Sequence, residues 1–176
     1  MKKLLAHKAT PVVLAALCAA MLIAVLWRVF DVGKRITVAS AVGNLADGHA
    51  VAQARTSLEL VNDRAYVLDA LEEALEEDGG SVTGKQHILQ TLQQFDQPRA
   101  LPRSLESKSV TTRRAGCWFL YGDPERRERC GEIALEWLRD EDATERWRAA
   151  FLCKELKLEE ARQTLLEIVK RDPGNP

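Results

Sequence analysis

Residues 145–172 read ERWRAAFLCKELKLEEARQTLLEIVKRD, and the fold depends on whether this is a helix pair built for chemistry or one unit of a stacked array. The preceding stretch, TTRRAGCWFLYGDPERRERCGEIALEWLRDED at residues 111–142, answers the architectural half. Arg114-Ala115-Gly116 matches Arg148-Ala149-Ala150 at an offset of 34, and Ala134-Leu135 with Trp137-Leu138 matches Leu165-Leu166 with Ile168-Val169 at 31. The difference falls between the two helices, where Asp123-Pro124 reads as a cap followed by proline in the first helical position. Thr144 is the weaker cap candidate of the later unit. Two helices and a tight turn recurring every 31–34 residues is a period at which helical repeats stack. A hairpin of that size cannot bury its apolar stripe alone, so neighbouring hairpins share a core.

The order of residues in DEDATERWRAAFLCKELKLEEARQTLLEIVKRD, residues 140–172, resembles the short HEAT-like repeats of phycobilisome-lyase subunits: acidic loop, apolar residue, Arg, small pair, Leu, turn, and an Ala- and Leu-rich second helix. Trp147 stands where that family has a smaller aliphatic residue, and the unit before it fits more loosely. Tetratricopeptide units are the near rival, but their spaced Trp, Leu-Gly and Tyr are absent. The resemblance covers 110–140 and 143–172, with a degenerate third unit at 62–95, and implies an all-α fold, a short α-solenoid. It also implies packing roles for Trp118, Trp137, Trp147, Arg114 and Arg148. Trp118 aligns with Leu152 and Trp137 with Ile168, both core positions. Arg114 and Arg148 share one repeat position and are expected to tie neighbouring units to acids such as Asp140 or Asp142.

Upstream of these units the apolar spacing stays helical. Val51, Ala54, Leu58 and Val61 define one helix; Val67, Leu68, Leu71, Ala74 and Leu75 define the next, capped by Asn62 or Asp63 and ended by EEDGGS. A third runs from Val82 to Phe95, and DQPRALPRSLESKS at 96–109 reads as a loop. The repeat domain is thus placed at 45–176, its last helix stopped by Pro173 and Gly174. DVGKRITVASAVGN at 31–44, β-branched and with two glycines, reads as a juxtamembrane linker or a frayed helix extension.

The linker is juxtamembrane because of what precedes it. Residues 9–27, ATPVVLAALCAAMLIAVLW, carry no charge, and 19 residues of helix span roughly 28 Å, close to the hydrocarbon thickness of a bilayer. Residues 1–30 are therefore expected to be a tail and a single transmembrane anchor, with membrane contact over 10–28. A cleaved secretory signal is the rival. It would have a shorter apolar core and a small-x-small site closer than Ala39-Ser40-Ala41. Lys2, Lys3 and Lys8 before the span nearly balance Arg28, Lys34 and Arg35 after it, and the short tail tips the expectation toward a cytoplasmic N-terminus and a periplasmic or extracytoplasmic body.

Function classes are narrowed mainly by exclusion. Four of the 25 basic residues precede residue 31, leaving 21 against 26 acidic, so the body carries a charge of about −5. That balance argues against nucleic acid. His7, His49 and His87 are dispersed, which supports neither a metal cluster nor a triad, and Gly79-Gly80 and Gly84-Lys85 lack the P-loop spacing. No cofactor is expected. Glu72, Glu73, Glu76, Glu77 and Asp78 read as a solvated helix face. Cys117 and Cys130 face one another if two helices meet near Asp123, as buried thiols or, in an oxidising compartment, as a disulfide. Arginines 113, 114, 126, 127, 129, 146 and 148 with the tryptophans suggest a stacking groove, but the aligned core positions favour packing. Two classes remain: a membrane-tethered, non-catalytic module for protein–protein interaction, and an enzyme or accessory subunit of lyase or nucleic-acid type.

Overall fold

The computed structural model describes the backbone of residues 2–95 and 97–171, with side chains at 17–95 and 97–170. The described residues are all-α: α1 (Lys2–Ala46), α2 (Val51–Glu59), α3 (Arg64–Glu76), α4 (Val82–Gln94), α5 (Ala100–Ser104), α6 (Val110–Leu120), α7 (Arg127–Trp137), α8 (Ala143–Leu156) and α9 (Ala161–Arg171). No strand occurs among them. α1 packs on α2, α3 and α4; α3 packs on α4, α4 on α5 and α6, and α5 on α6, and from α6 to α9 each helix packs on the next. One cluster of buried side chains runs from Val38 to Ala161.

Local chemistry sets the helix ends. Asp63 begins α3, its carboxylate accepting from the Tyr66 amide at 3.2 Å, and Val67, Leu71 and Leu75 then fall one turn apart on the buried face. Burying each contributes roughly 1.5–3 kcal/mol. Gly79 and Gly80 take φ of 110° and 72° to leave that helix, and Ser81 caps α4 by accepting from the Gly84 amide at 2.9 Å. Lys157, with φ 55°, turns the chain out of α8.

Several boundaries differ from the sequence reading. Residues 31–44, expected as a linker or frayed extension, belong to α1 and carry Val38 and Ala41 into the core, with Leu45 just beyond. The β-branched positions cost little helix propensity against that much tertiary burial. The expected loop 96–109 contains α5, with Leu101 and Leu105 buried; Pro102 sits in its first turn, where no amide donor is needed. Asp123-Pro124 does not begin α7. Asp123 closes a turn, accepting from the Glu125 amide at 3.0 Å, and the helix starts at Arg127. Asp142 rather than Thr144 caps α8, accepting from the Thr144 and Glu145 amides at 2.6 and 3.4 Å.

Among the described residues no helix is long and apolar enough to cross a membrane. Residues 9–16 of the expected span lie outside those whose side chains are described, and Pro173 and Gly174 lie outside the described residues altogether.

Candidate functional site

The residues singled out by the repeat pattern meet where α6, α7 and α8 converge. Trp137, 1% exposed, is the hub. Its indole Nε1–H donates to Glu145 Oε2 at 3.0 Å, and the Arg114 guanidinium lies over its ring at 5.2 Å. Arg114 also pairs with Asp140 at 2.6 Å, both side chains mostly buried. Glu145 accepts in turn from Arg148 at 2.7 Å, whose other nitrogen donates to Thr83 Oγ1 of α4 at 3.3 Å.

Arg114 thus reaches Asp140 as expected, whereas Arg148 reaches neither Asp140 nor Asp142. Asp140 is taken by Arg114 and Asp142 by the cap, so Arg148 turns to Glu145 one helical turn back. Replacing Arg114 with Met leaves Asp140 partly buried without its cation. The variant is expected to lose roughly 2 kcal/mol, against about 1 kcal/mol or less for Arg148→Met. Thermal melts of the two variants side by side check the order.

Three long cations form a pattern that residue spacing in the repeat alignment did not reveal. In α4, α6 and α8 the fourth residue after the cap folds back on carbonyls of the preceding segment. After Ser81, Lys85 Nζ donates to the carbonyls of Ala74 and, at 2.9 Å, Glu77. After Ser109, Arg113 Nη1 donates to Ser107 and Lys108 at 2.8 and 3.0 Å. After Asp142, Arg146 Nη1 donates to Asp140 and Glu141 at 2.8 and 2.6 Å. Carbonyls at and beyond a helix C-terminus carry the negative end of its dipole and lack internal donors, so a cation there satisfies both. The device makes α4 the counterpart of α6 and α8. The signal was available in sequence as Ser or Asp followed four residues later by Lys or Arg.

Burial follows from it. Arg146 is 4% exposed and shares the inner face of α8 with Ala149, Leu152, Cys153 and Leu156. Trp147, about 100° further round the helix, is 52% exposed. The packing role expected of Trp147 is therefore corrected: it stands outside the core, its ring 6.4 Å from Phe151 in a stacked arrangement. Phe151 in turn lies 5.4 Å from Trp118, which is half-buried. The three rings form an aromatic strip across α6 and α8.

The remaining arginines named above are engaged or peripheral. Arg127 donates to the Leu156 carbonyl at 2.6 Å, Arg129 pairs with Glu106 and Glu132 at 3.2 and 2.7 Å, and Arg126 is exposed. Apart from exposed Arg126, these guanidiniums are directed at groups of their own chain.

Two further features have the residue types of chemistry. A cavity of about 510 Å³ between α1 and α3 is lined by Tyr66, Glu73, Glu77, Asp78 and Lys85. Burial holds the Lys85 ammonium below the ordinary lysine range, with Glu77, Asp78 and Glu76 opposing the shift. Both carbonyl bonds assign it to capping α3. Cys117, Cys130 and Cys153 are free and buried. Cys117 Sγ lies 3.4 Å from the Cys130 carbonyl and Cys130 Sγ 3.9 Å from that of Cys117. The hydrogen bond to Cys130 and then burial hold the Cys117 thiol above its usual range, and burial pushes Cys153 up to about 11. Among the described residues no His, Cys, Asp and Glu side chains are grouped to hold a metal ion.

Comparison with protein-family models, with curated proteins and with solved structures returned no match.

Proposed function

We propose that this chain is a membrane-anchored, non-catalytic helical-repeat module of the HEAT-like kind, which presents a docking face to partner proteins at the bilayer surface. The observation that carries the reading is the state of α1 between Leu17 and Phe30. Every residue there is exposed, including Met21 at 73%, Leu22 at 64%, Trp27 at 73% and Phe30 at 79%. A helix apolar on all sides, as this one is from Leu17 to Trp27, belongs inside a protein core or a bilayer, and among the described residues the body buries none of these side chains. In lipid the same exposure is favourable, and every backbone amide is satisfied within the helix. Lys2, Lys3 and Lys8 before the segment nearly balance Arg28, Lys34 and Arg35 after it, and the reading takes the body to face the periplasm or another extracytoplasmic space.

Serial packing of helix pairs and the recurring cap-and-cation device support the repeat architecture. The strip of Trp118, Phe151 and Trp147 supports the docking role, since exposed tryptophan is the residue type that anchors interfaces. Tethering raises the module's effective concentration toward membrane partners without any new contact.

Cys18 tests the anchor directly. It is exposed while the other three cysteines are buried, and it is the midpoint of residues 9–27. In intact vesicles a charged, membrane-impermeant maleimide is expected to leave all four cysteines unmodified and to label them only after denaturation. Labelling of Cys18 in intact vesicles would overturn the anchor. For the docking face, a photo-crosslinking residue at position 147 is expected to capture a partner in native membranes, and one at exposed Glu167 is not. Equal yields from both positions would remove the face from consideration.

A further inference from the structure

We propose that the corner joining α2 to α3 is a second membrane contact, seated in the headgroup–acyl boundary of a phospholipid bilayer beside the anchor. The inference rests on the anchor reading and adds to it the depth and posture of the body.

The corner carries Leu60, which at 80% exposure is as bare as Phe30 at 79% and Trp27 at 73%. These side chains belong to one surface. Trp27, Val29 and Phe30 of α1 and Leu60 and Val61 of the corner line a common groove of about 890 Å³. The same groove is lined further along α1 by Asp31, Lys34 and Thr37 and in the corner by Asn62 and Asp63, so Leu60 stands where the apolar segment gives way to polar and charged side chains. Water is a poor solvent for the exposed apolar side chains of this groove, and they adjoin the segment that the anchor reading buries in lipid.

No hinge lets the corner drift from that level. α1 runs unbroken from the apolar segment into the body, where Val38, Ala41 and Leu45 are buried. Within the groove Lys34 bridges Asp31 of its own helix at 3.4 Å and Asp63 of the corner at 2.8 Å. Its ammonium also sits 5.1 Å from the centre of the Tyr66 ring. Hydrogen bonding to Lys34 and to the Tyr66 amide holds the Asp63 carboxyl below the ordinary aspartate range. Along α1 the apolar helix therefore gives way at Trp27 and Phe30 to the ions Asp31 and Lys34, and Leu60 shares their groove. A protein meeting a bilayer shows the same order, with aromatic residues at headgroup level and charges just outside. Once α1 spans the membrane, the stapled corner has nowhere to sit except in that boundary. The body stands against the bilayer; it does not swing on a tether.

The test uses the full chain in phosphatidylcholine–phosphatidylglycerol vesicles, with an environment-sensitive fluorophore on Leu60→Cys and, as the aqueous reference, on Glu159→Cys. Both positions are exposed, so neither change removes core packing; both are made in a Cys18→Ser background because Cys18 is exposed, and the buried thiols of Cys117, Cys130 and Cys153 stay unlabelled. Flotation with the vesicles reads the anchor, and the fluorophore reads the corner. Expected are a blue-shifted emission at position 60 and quenching by lipid-borne nitroxides several-fold stronger than at 159. A chain that floats while position 60 reports water, as 159 does, overturns the corner contact alone. A shift at 60 that appears only at high protein-to-lipid ratio points to a second copy as occupant and overturns it as well. A chain that fails to float overturns the anchor and the corner contact together.

Discussion

Trp137→Ala is expected to lower stability by about 3–5 kcal/mol, the range for deleting a large buried aromatic. Trp137 is 1% exposed, so truncation leaves a void at the junction of α6, α7 and α8. It also removes the indole donor from Glu145 and the ring from beneath Arg114. The cation–π contact alone is worth roughly 0.5–2 kcal/mol at a partly desolvated site. Trp137→Phe separates the contributions, because it keeps most of the apolar volume and loses the N–H. Glu145 still has Arg148 at 2.7 Å, so this milder variant is expected to lose about 1–2 kcal/mol. Thermal unfolding of the detergent-solubilised chain, followed by far-ultraviolet circular dichroism, measures both. Equal losses for the two variants would show that the hydrogen bond, and not the packing, makes Trp137 the hub.

The second large effect comes from one atom. Gly84, in the first turn of α4, abuts the C-terminal end of α1: a Cβ there would overlap the Ala46 carbonyl oxygen and lie 2.6 and 2.9 Å from the carbonyl carbon and Cα. The obstacle is backbone, which cannot rotate away as a side chain can. Gly84→Ala is therefore expected to push α1 off α4 and to cost about 3 kcal/mol, the upper end for overpacking, which outweighs the gain of up to 1 kcal/mol in helix propensity. Gly43→Ala is the contrasting case. It lies within α1 with nothing within 4 Å of the added methyl, so the propensity gain stands alone and stabilises by about 0.5–1 kcal/mol. Opposite shifts in melting temperature are expected from the same chemical change. Two shifts of one sign would mean that α1 and α4 do not approach as described.

The outcome at these positions depends on what a linear pattern can carry. Apolar periodicity, turn residues and repeat offset are local properties, and by themselves they determined that the chain is helical, that its helices lie near residues 51–61, 64–76, 82–95 and beyond, and that Trp137 and Cys130 are buried. Spacing of 31–34 residues also pointed Arg114 toward Asp140, which it meets, but it did not carry over to Arg148, which turns to Glu145 and Thr83. What the pattern could not carry was the angular position of single side chains at a helix crossing. Trp147 and Arg146 are adjacent in sequence, and hydrophobicity ranks the tryptophan for the interior. The structure buries the arginine, because its guanidinium finds the carbonyls of Asp140 and Asp142's neighbour Glu141 and so loses little on leaving water. Likewise 31–44 looked too β-branched and glycine-rich for a helix until Val38, Ala41 and Leu45 had partners in the body. Propensity differences of a few tenths of a kcal/mol per residue decide an isolated segment. Tertiary burial, worth several times more per side chain, decides a packed one, and its partners are known only when the chain has folded.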